Sequence, residues 1–430
     1  MILVAKTYWG GLPFWFRRPP DDARVASLAL RTDDRRQIRA LYWTPAAGAA
    51  PRVGVVVIHP RVDFTHHYTV PRLVAAGFGV LAANSRYVNN DTSCEHEELV
   101  LDVAACVKWL RKKAGVERVV LLGNCGGGSL VAFFQAQAKL PAAERLQRSP
   151  GGTSTGFGAA EMTPADGMAL VAAHRGQGHV LLRSIDAAVV DEADPFASDP
   201  LVDIYDTRNG FREPPAPSTY TTDFVGQVRA AQTERVRRID QVARALLATH
   251  AEAVADTESS AFGERPFEER QEALRRRAYE PVMLVHRTMA NPAFTDPTLD
   301  ADPEGATRDY GSLLSDRPDL MNMTAMGFAR TSTPRAWLST WSGLSSNADL
   351  VENAARIDEP TLVVYAARDR EVYFGRDVAP VFEASKASDK RLVRIDGARH
   401  YFEPDFGESA APDVDRLMDV VVPWLKERFA

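Results

Sequence analysis

The sequence predicts an α/β fold: a mostly parallel sheet, doubly wound by helices, with a long helical segment inserted late in the chain. Three observations carry this. Short β-branched runs alternate with helical patterns from residue 53 to residue 172. The alternation stops near His174, and residues 176–357 read as mainly helical and charged. Strand-like runs then resume at 361–366 and 391–395. One sheet domain with an insertion accounts for all three, with 1–175 and 358–430 as core and 176–357 as cap. A chain of 430 residues suits this plan, because it exceeds what one hydrophobic core usually holds.

The first strands are expected at 25–30 and 37–43, joined by the polar turn Thr32-Asp33-Asp34. Residues 53–59, VGVVVIH, form a continuous apolar run of the kind buried in a parallel sheet. A helical stretch at 68–76 ends at Gly77, and a buried strand follows at 79–83. Over 95–113, Leu99, Val103, Cys106, Val107 and Leu110 recur at helical spacing. The strand at 119–122 runs straight into GNCGGGS. A helix at 130–139 stops before Pro141, and another strand is expected at 168–172. The run GGTSTGFG at 151–158 lacks the lysine of a phosphate loop and does not join a strand to a helix, so it reads as a flexible loop.

In the insertion, 222–255 is the longest candidate helix, capped by Asp223, with Val225, Val228, Ile239, Val242 and Leu246 on one side. A second helix is expected at 264–279, and Pro-rich joints such as REPPAPS separate the pieces. Met321, Met323, Met326, Phe328, Trp337, Trp341 and Leu344 supply a cap core, with some of them left to line an apolar pocket. An amphipathic helix at 414–429 closes the chain.

Composition narrows the function classes. A net charge of −6 gives no support to a broad nucleic-acid surface. No apolar run approaches the ~18 residues that span a bilayer. The opening MILVAKTYWGGLPFWFRRPP lacks the layout of a secretory signal, so a cytoplasmic protein is expected, its aromatic start packed on the core. Nothing in the sequence selects between a monomer and a homodimer. Three cysteines, Cys94, Cys106 and Cys125, make neither a disulfide framework nor a zinc knuckle. Cys106 falls within a helical apolar pattern and reads as a small core residue.

Cys125 differs because of its neighbours. Gly123-Asn124-Cys125-Gly126-Gly127 lies at a strand-to-helix junction, where a nucleophile can sit at the apex of a tight turn. The backbone N–H of Gly126 is then placed to donate to an oxyanion, and the helix N-terminus favours a thiolate. Downstream, the run TLVVYA leads to Asp369, with Glu371 as the fallback acid, and the run RLVRI leads to GARH and His400. Nucleophile, acid and histidine thus follow in the order Cys125, Asp369, His400. His66 and His67 are adjacent and their side chains diverge, so no metal site is expected there. His59, Asn124 and Trp341 are candidate substrate contacts, as are Arg61, His66 and His67. Arg86, Asn89, Asn90 and Asp91 fall in the next loop toward the site, as supporting or ligand-facing groups.

GNCGGG, AARD and GARH, over residues 25–174 and 358–430, resemble the α/β-hydrolase superfamily. The resemblance implies a mostly parallel eight-stranded sheet, a cap inserted after the sixth strand, and no cofactor. It departs from the family's pattern twice. Most members carry Ser where Cys125 stands, so Cys125 reads as a natural nucleophile or as a replaced serine; the G-x-C-x-G-G elbow is similar to that of dienelactone hydrolases, which are smaller and lack such a cap. The usual His-Gly after the third strand is His59-Pro60 here. Proline has no N–H, so the second oxyanion donor is expected from Arg61 or Val62.

The chemistry expected is attack of a thiolate on an acyl carbon, giving a thioester on Cys125. A small-molecule acyl substrate follows. The first reading is a hydrolase for an apolar ester, lactone or thioester. The second is an acyltransferase or cyclase passing the acyl group to an amine or alcohol. A non-catalytic ligand-binding module on the same scaffold is the third.

Overall fold

A computed structural model describes residues 22–404 and 410–430 of the chain. The aromatic opening segment, expected to pack on the core, lies outside the described residues. Eight strands form one sheet: β1 (Ala23–Arg31), β2 (Gln37–Pro45), β3 (Val53–His59), β4 (Gly79–Asn84), β5 (Arg118–Asn124), β6 (Gly167–Val171), β7 (Thr361–Ala366) and β8 (Lys390–Ile395). Their spatial order is β1-β2-β4-β3-β5-β6-β7-β8. β2 runs antiparallel to both β1 and β4, and every other pairing is parallel. With helices on both faces and the insertion following β6, this is the α/β-hydrolase fold.

β3 shows how the apolar runs specify the two layers. Strand side chains alternate between faces, so Val56 and Ile58 enter one core and Val55 and Val57 the other. Helices α2 (His96–Trp109) and α3 (Gly126–Ala138) cover the first face through Leu99, Val103, Leu130, Phe133 and Phe134. Helices α1 (Val70–Ala75) and α8 (Pro412–Phe429) cover the second through Leu73, Val74, Leu417, Val421 and Trp424. Every residue of α3 is buried. That helix starts directly after Cys125 rather than at Leu130, because its first turn is glycine and carries no helical periodicity to read.

The stretch at 151–158, expected to be a flexible loop, is a packed turn. Phe157 is fully buried with its ring 6.1 Å from that of Phe133, and Arg148 bridges to Ser154 across the turn. One aromatic anchor outweighs the glycines on either side.

The insertion between β6 and β7 carries α4 (Gln177–Ser184), α5 (Thr222–Glu258), α6 (Phe267–Ala278) and α7 (Leu350–Ala354). Its core gathers Val180, Leu181, Val236, Ile239, Met321, Trp337 and Trp341. Trp337 Nε1 donates to Asp240 Oδ1 at 2.7 Å, which ties this core to α5. Val242, placed on the buried side of α5 by spacing, is 52% exposed, because the buried stripe runs through Val228, Gln232, Arg235, Val236, Ile239 and Ala243 and leaves it to one side. Met323 and Leu344 are likewise exposed and supply no core. Helix α7 packs against α3 of the sheet domain, so the insertion returns to the core before β7 begins.

Thr221, not Asp223, caps α5: its side chain accepts from the Phe224 N–H. A cap must precede the first helical residue, and the helix begins at Thr222. Thr221→Ala is therefore expected to destabilise the chain by about 1 kcal/mol and Asp223→Ala by less, measured as shifts in the urea unfolding midpoint.

Candidate active site

The turn from β5 into α3 holds Cys125 at φ 54° and ψ −129°, a strained conformation for a residue with a side chain. Close approach explains the glycines beside it. A Cβ on Gly123 would fall 2.6 Å from Gly128 Cα, and one on Gly127 would fall 2.5 Å from the Ile58 carbonyl oxygen. The Cys125 N–H donates to the carbonyls of Ala172 and Val171 at 3.1 and 3.3 Å, which fastens the apex to the end of β6.

Asn124 does not face a ligand. Its Nδ2 donates to the Val171 carbonyl at 2.8 Å, and its Oδ1 meets His67 Nε2 at 3.2 Å. The expected substrate contact is thus a brace for the turn. His67 is the other half of that brace, its Nδ1 2.8 Å from Thr69 Oγ1. Burial pushes the His67 imidazolium down to about 4, so the ring is neutral at physiological pH. His66 lies outside this network, its ring 5.4 Å from that of Trp43.

The three predicted catalytic residues come together from distant segments. His400 Nδ1 lies 2.8 and 3.0 Å from the two carboxylate oxygens of Asp369. Asp369 Oδ1 also accepts from the backbone N–H groups of Glu371 and Val372 at 2.8 and 3.0 Å, which holds it in place. A ring nitrogen of His400, the Sγ of Cys125 and a carboxylate oxygen of Glu371 lie within 4.8 Å of one another. Nδ1 is taken by Asp369, so Nε2 is the nitrogen left for the thiol; it is buried and has no hydrogen-bond partner among the described residues. All three residues are covered, with Cys125 5% exposed and His400 and Asp369 each 1%.

Glu371, the fallback acid, stands beside the nucleophile instead of the histidine. Its Oε1 is 3.7 Å from Cys125 Sγ and 3.8 Å from His174 Nε2. Burial raises its carboxyl above the usual range, against the opposing pull of His400. Tyr401 packs on the His400 ring at 4.5 Å, and burial together with Cys125 keeps its phenol protonated. Cys125, Glu371 and His400 are also, among the described residues, the one group of three potential metal ligands whose donor atoms come this close. A tetrahedral structural zinc site would need a fourth.

The loop after β3 differs from expectation. The Arg61 N–H donates to His59 Nδ1 at 3.1 Å and the Val62 N–H to the same atom at 2.9 Å. Neither amide is free to serve an oxyanion, so the donor expected from Arg61 is not its backbone. The Arg61 side chain pairs with Asp91 at 2.6 Å and stacks on the Trp341 ring at 5.0 Å. Trp341 is fully buried and donates through Nε1 to the Asp91 carbonyl at 3.1 Å. It joins the cap to the core and lines no open pocket. Arg86 pairs with Asp34 and Asp102 and is structural.

Gln177, at the start of α4, was not singled out by sequence. Its Oε1 lies 3.2 Å from His96 Nε2, and its Nε2 would be 2.1 Å from a Cβ on Gly126. Leaving a buried polar atom unpaired costs about 1–3 kcal/mol. Three such atoms, on His59, Gln177 and His400, lie about Cys125 and its neighbour Gly126. No local pattern announces this, since each lies on a different segment.

No protein-family model matches the sequence, and no curated protein does. Among solved structures, the chain is similar to Est1E from Butyrivibrio proteoclasticus (10% identity, 94% of this chain and 98% of that chain, TM-score 0.43). It is similar to brefeldin A esterase, described as a bacterial homologue of human hormone sensitive lipase (13% identity, 95% and 78%, TM-score 0.45). It is also similar to DcsB, solved in complex with its substrate analogue (11% identity, 95% and 100%, TM-score 0.46). At these identities no activity or residue role transfers.

The electrostatics of His400 are testable. Burial opposes its imidazolium, but the Asp369 carboxylate and Cys125 outweigh burial and hold it well above the ordinary value of 6.5. A raised folded-state value means that the ion pair stabilises the fold fully below pH 6.5 and that this contribution is lost as pH rises through the folded value. The His400 Cε1 proton resonance should titrate above pH 6.5 in the unsubstituted protein and at lower pH in Asp369→Asn, where the carboxylate no longer opposes burial.

Proposed function

We propose that this chain is a hydrolase that cleaves an apolar ester, lactone or thioester through an acyl intermediate on Cys125. The observation that carries the reading is His400, bound to Asp369 through Nδ1 while its free Nε2 faces the Cys125 thiol at the strained turn.

In the first half-reaction, the thiol proton rests on His400 and Sγ, as the thiolate, attacks the carbonyl carbon. An S–C bond forms, and the C=O π pair moves to oxygen. As the oxyanion collapses, the leaving oxygen or sulfur departs with the proton from His400 Nε2. In the second, His400 removes a proton from water, hydroxide attacks the thioester, and Sγ leaves as thiolate. Asp369 holds the ring with its proton on Nδ1 and stabilises the imidazolium formed in each half. Gly126 supplies one backbone donor to the oxyanion, as a first-turn N–H of α3 without an intrahelical acceptor. Glu371, its carboxyl raised by burial, stands 3.7 Å from the Cys125 Sγ.

Incubation with activated esters and acyl thioesters, followed by intact mass, tests this. An acyl adduct located on Cys125 and lost in Cys125→Ala is expected; turnover that survives Cys125→Ala would sink the reading. Decay of the adduct in water identifies a hydrolase. Decay only on adding an amine or alcohol identifies a transferase.

The two carboxylates are expected to separate. Asp369→Asn should slow acylation by about 10³–10⁴, through loss of the correct histidine tautomer. Glu371→Gln, which keeps the side chain's shape and leaves the Asp369–His400 pair intact, should slow it by less than about tenfold.

A further inference from the structure

His59 ends β3 and is buried at 1% exposure. Its Nδ1 accepts two backbone N–H groups, from Arg61 and Val62. An imidazole nitrogen that accepts carries no proton, so in the neutral ring the proton sits on Nε2. Burial, with Arg61 and the neighbouring histidines, holds the ring neutral by pushing its imidazolium well down. The Nε2–H is therefore a fixed, oriented donor, buried and without an acceptor among the described residues. It lies at the nucleophile's turn: a Cβ on Gly126 would be 3.1 Å from it. Gly126 is the residue whose amide follows the nucleophile.

The geometry points to His59 Nε2–H as the second oxyanion donor, a side chain acting where Pro60 and the engaged amides of Arg61 and Val62 leave no backbone group. The assignment rests on the acyl-Cys125 reading. The loop after β3 still delivers the donor, but indirectly. Its amides are spent on fixing the histidine tautomer, and the ring carries the hydrogen bond to the developing charge.

The test compares two reactions of one thiol. Acylation by p-nitrophenyl butyrate passes through an oxyanion. Alkylation by iodoacetamide forms S–C and expels iodide without one. His59→Asn keeps an acceptor near the Nδ1 position, for the two backbone donors, and has nothing at the Nε2 position. His59→Gln can place an amide N–H near the Nε2 position. We expect His59→Asn to acylate about 10²–10³-fold more slowly while its alkylation stays within about threefold, and His59→Gln to regain at least about tenfold of the loss. Acylation of His59→Asn within about threefold of the unsubstituted rate would overturn the assignment. So would an equal loss in both reactions, which places His59 with the thiol or the fold. Failure of the acyl-Cys125 reading shows separately, as no adduct on the unsubstituted protein, and removes this assignment with it.

Discussion

Everything in the site is referred to one tight junction, the turn in which β5 ends and α3 begins. Cys125 is held at positive φ there, a conformation that costs about 1–3 kcal/mol and persists only where its surroundings over-determine it. The surroundings are dense. β5 is central in the sheet, α3 is buried along its whole length, and the turn is tied to β6 through the Cys125 N–H and the Asn124 side chain. Glycines at 123 and 127 let strand and helix close on each other.

The remaining groups reach that junction because a parallel sheet aligns the ends of its strands. β3, β5, β7 and β8 all point the same way, so the loops carrying His59, Cys125, Asp369 and His400 emerge on one edge. Two of these loops then fix their own side chain with their own backbone. Asp369 accepts two amides from the residues that follow it, and so does His59. Short local bonds thus do the orienting, and the sheet does the long-range positioning.

This division explains what could be read in the sequence. Apolar runs such as VGVVVIH and TLVVYA are local signals, and they located β3 and β7 closely. GNCGGG, AARD and GARH are local as well, and the residues they named meet in space. The readings that failed depend on partners far away in sequence. Whether Asn124 faces a ligand is decided by Val171 and His67, and whether Trp341 lines a pocket is decided by Asp91, 250 positions earlier. Glu371 looked like a substitute acid from its spacing, but the loop geometry turns it to Cys125, 246 positions away. Gln177 carries no motif and is placed by the return of the chain from β6 into the cap.

Arg61 makes two attachments that belong to different parts of the molecule. Its amide holds the His59 ring, and its guanidinium holds Asp91 and lies on Trp341 of the cap. One residue thus fastens both the ring of His59 and the indole of the cap, so a change at Arg61 is felt at the floor of the site and at its roof together.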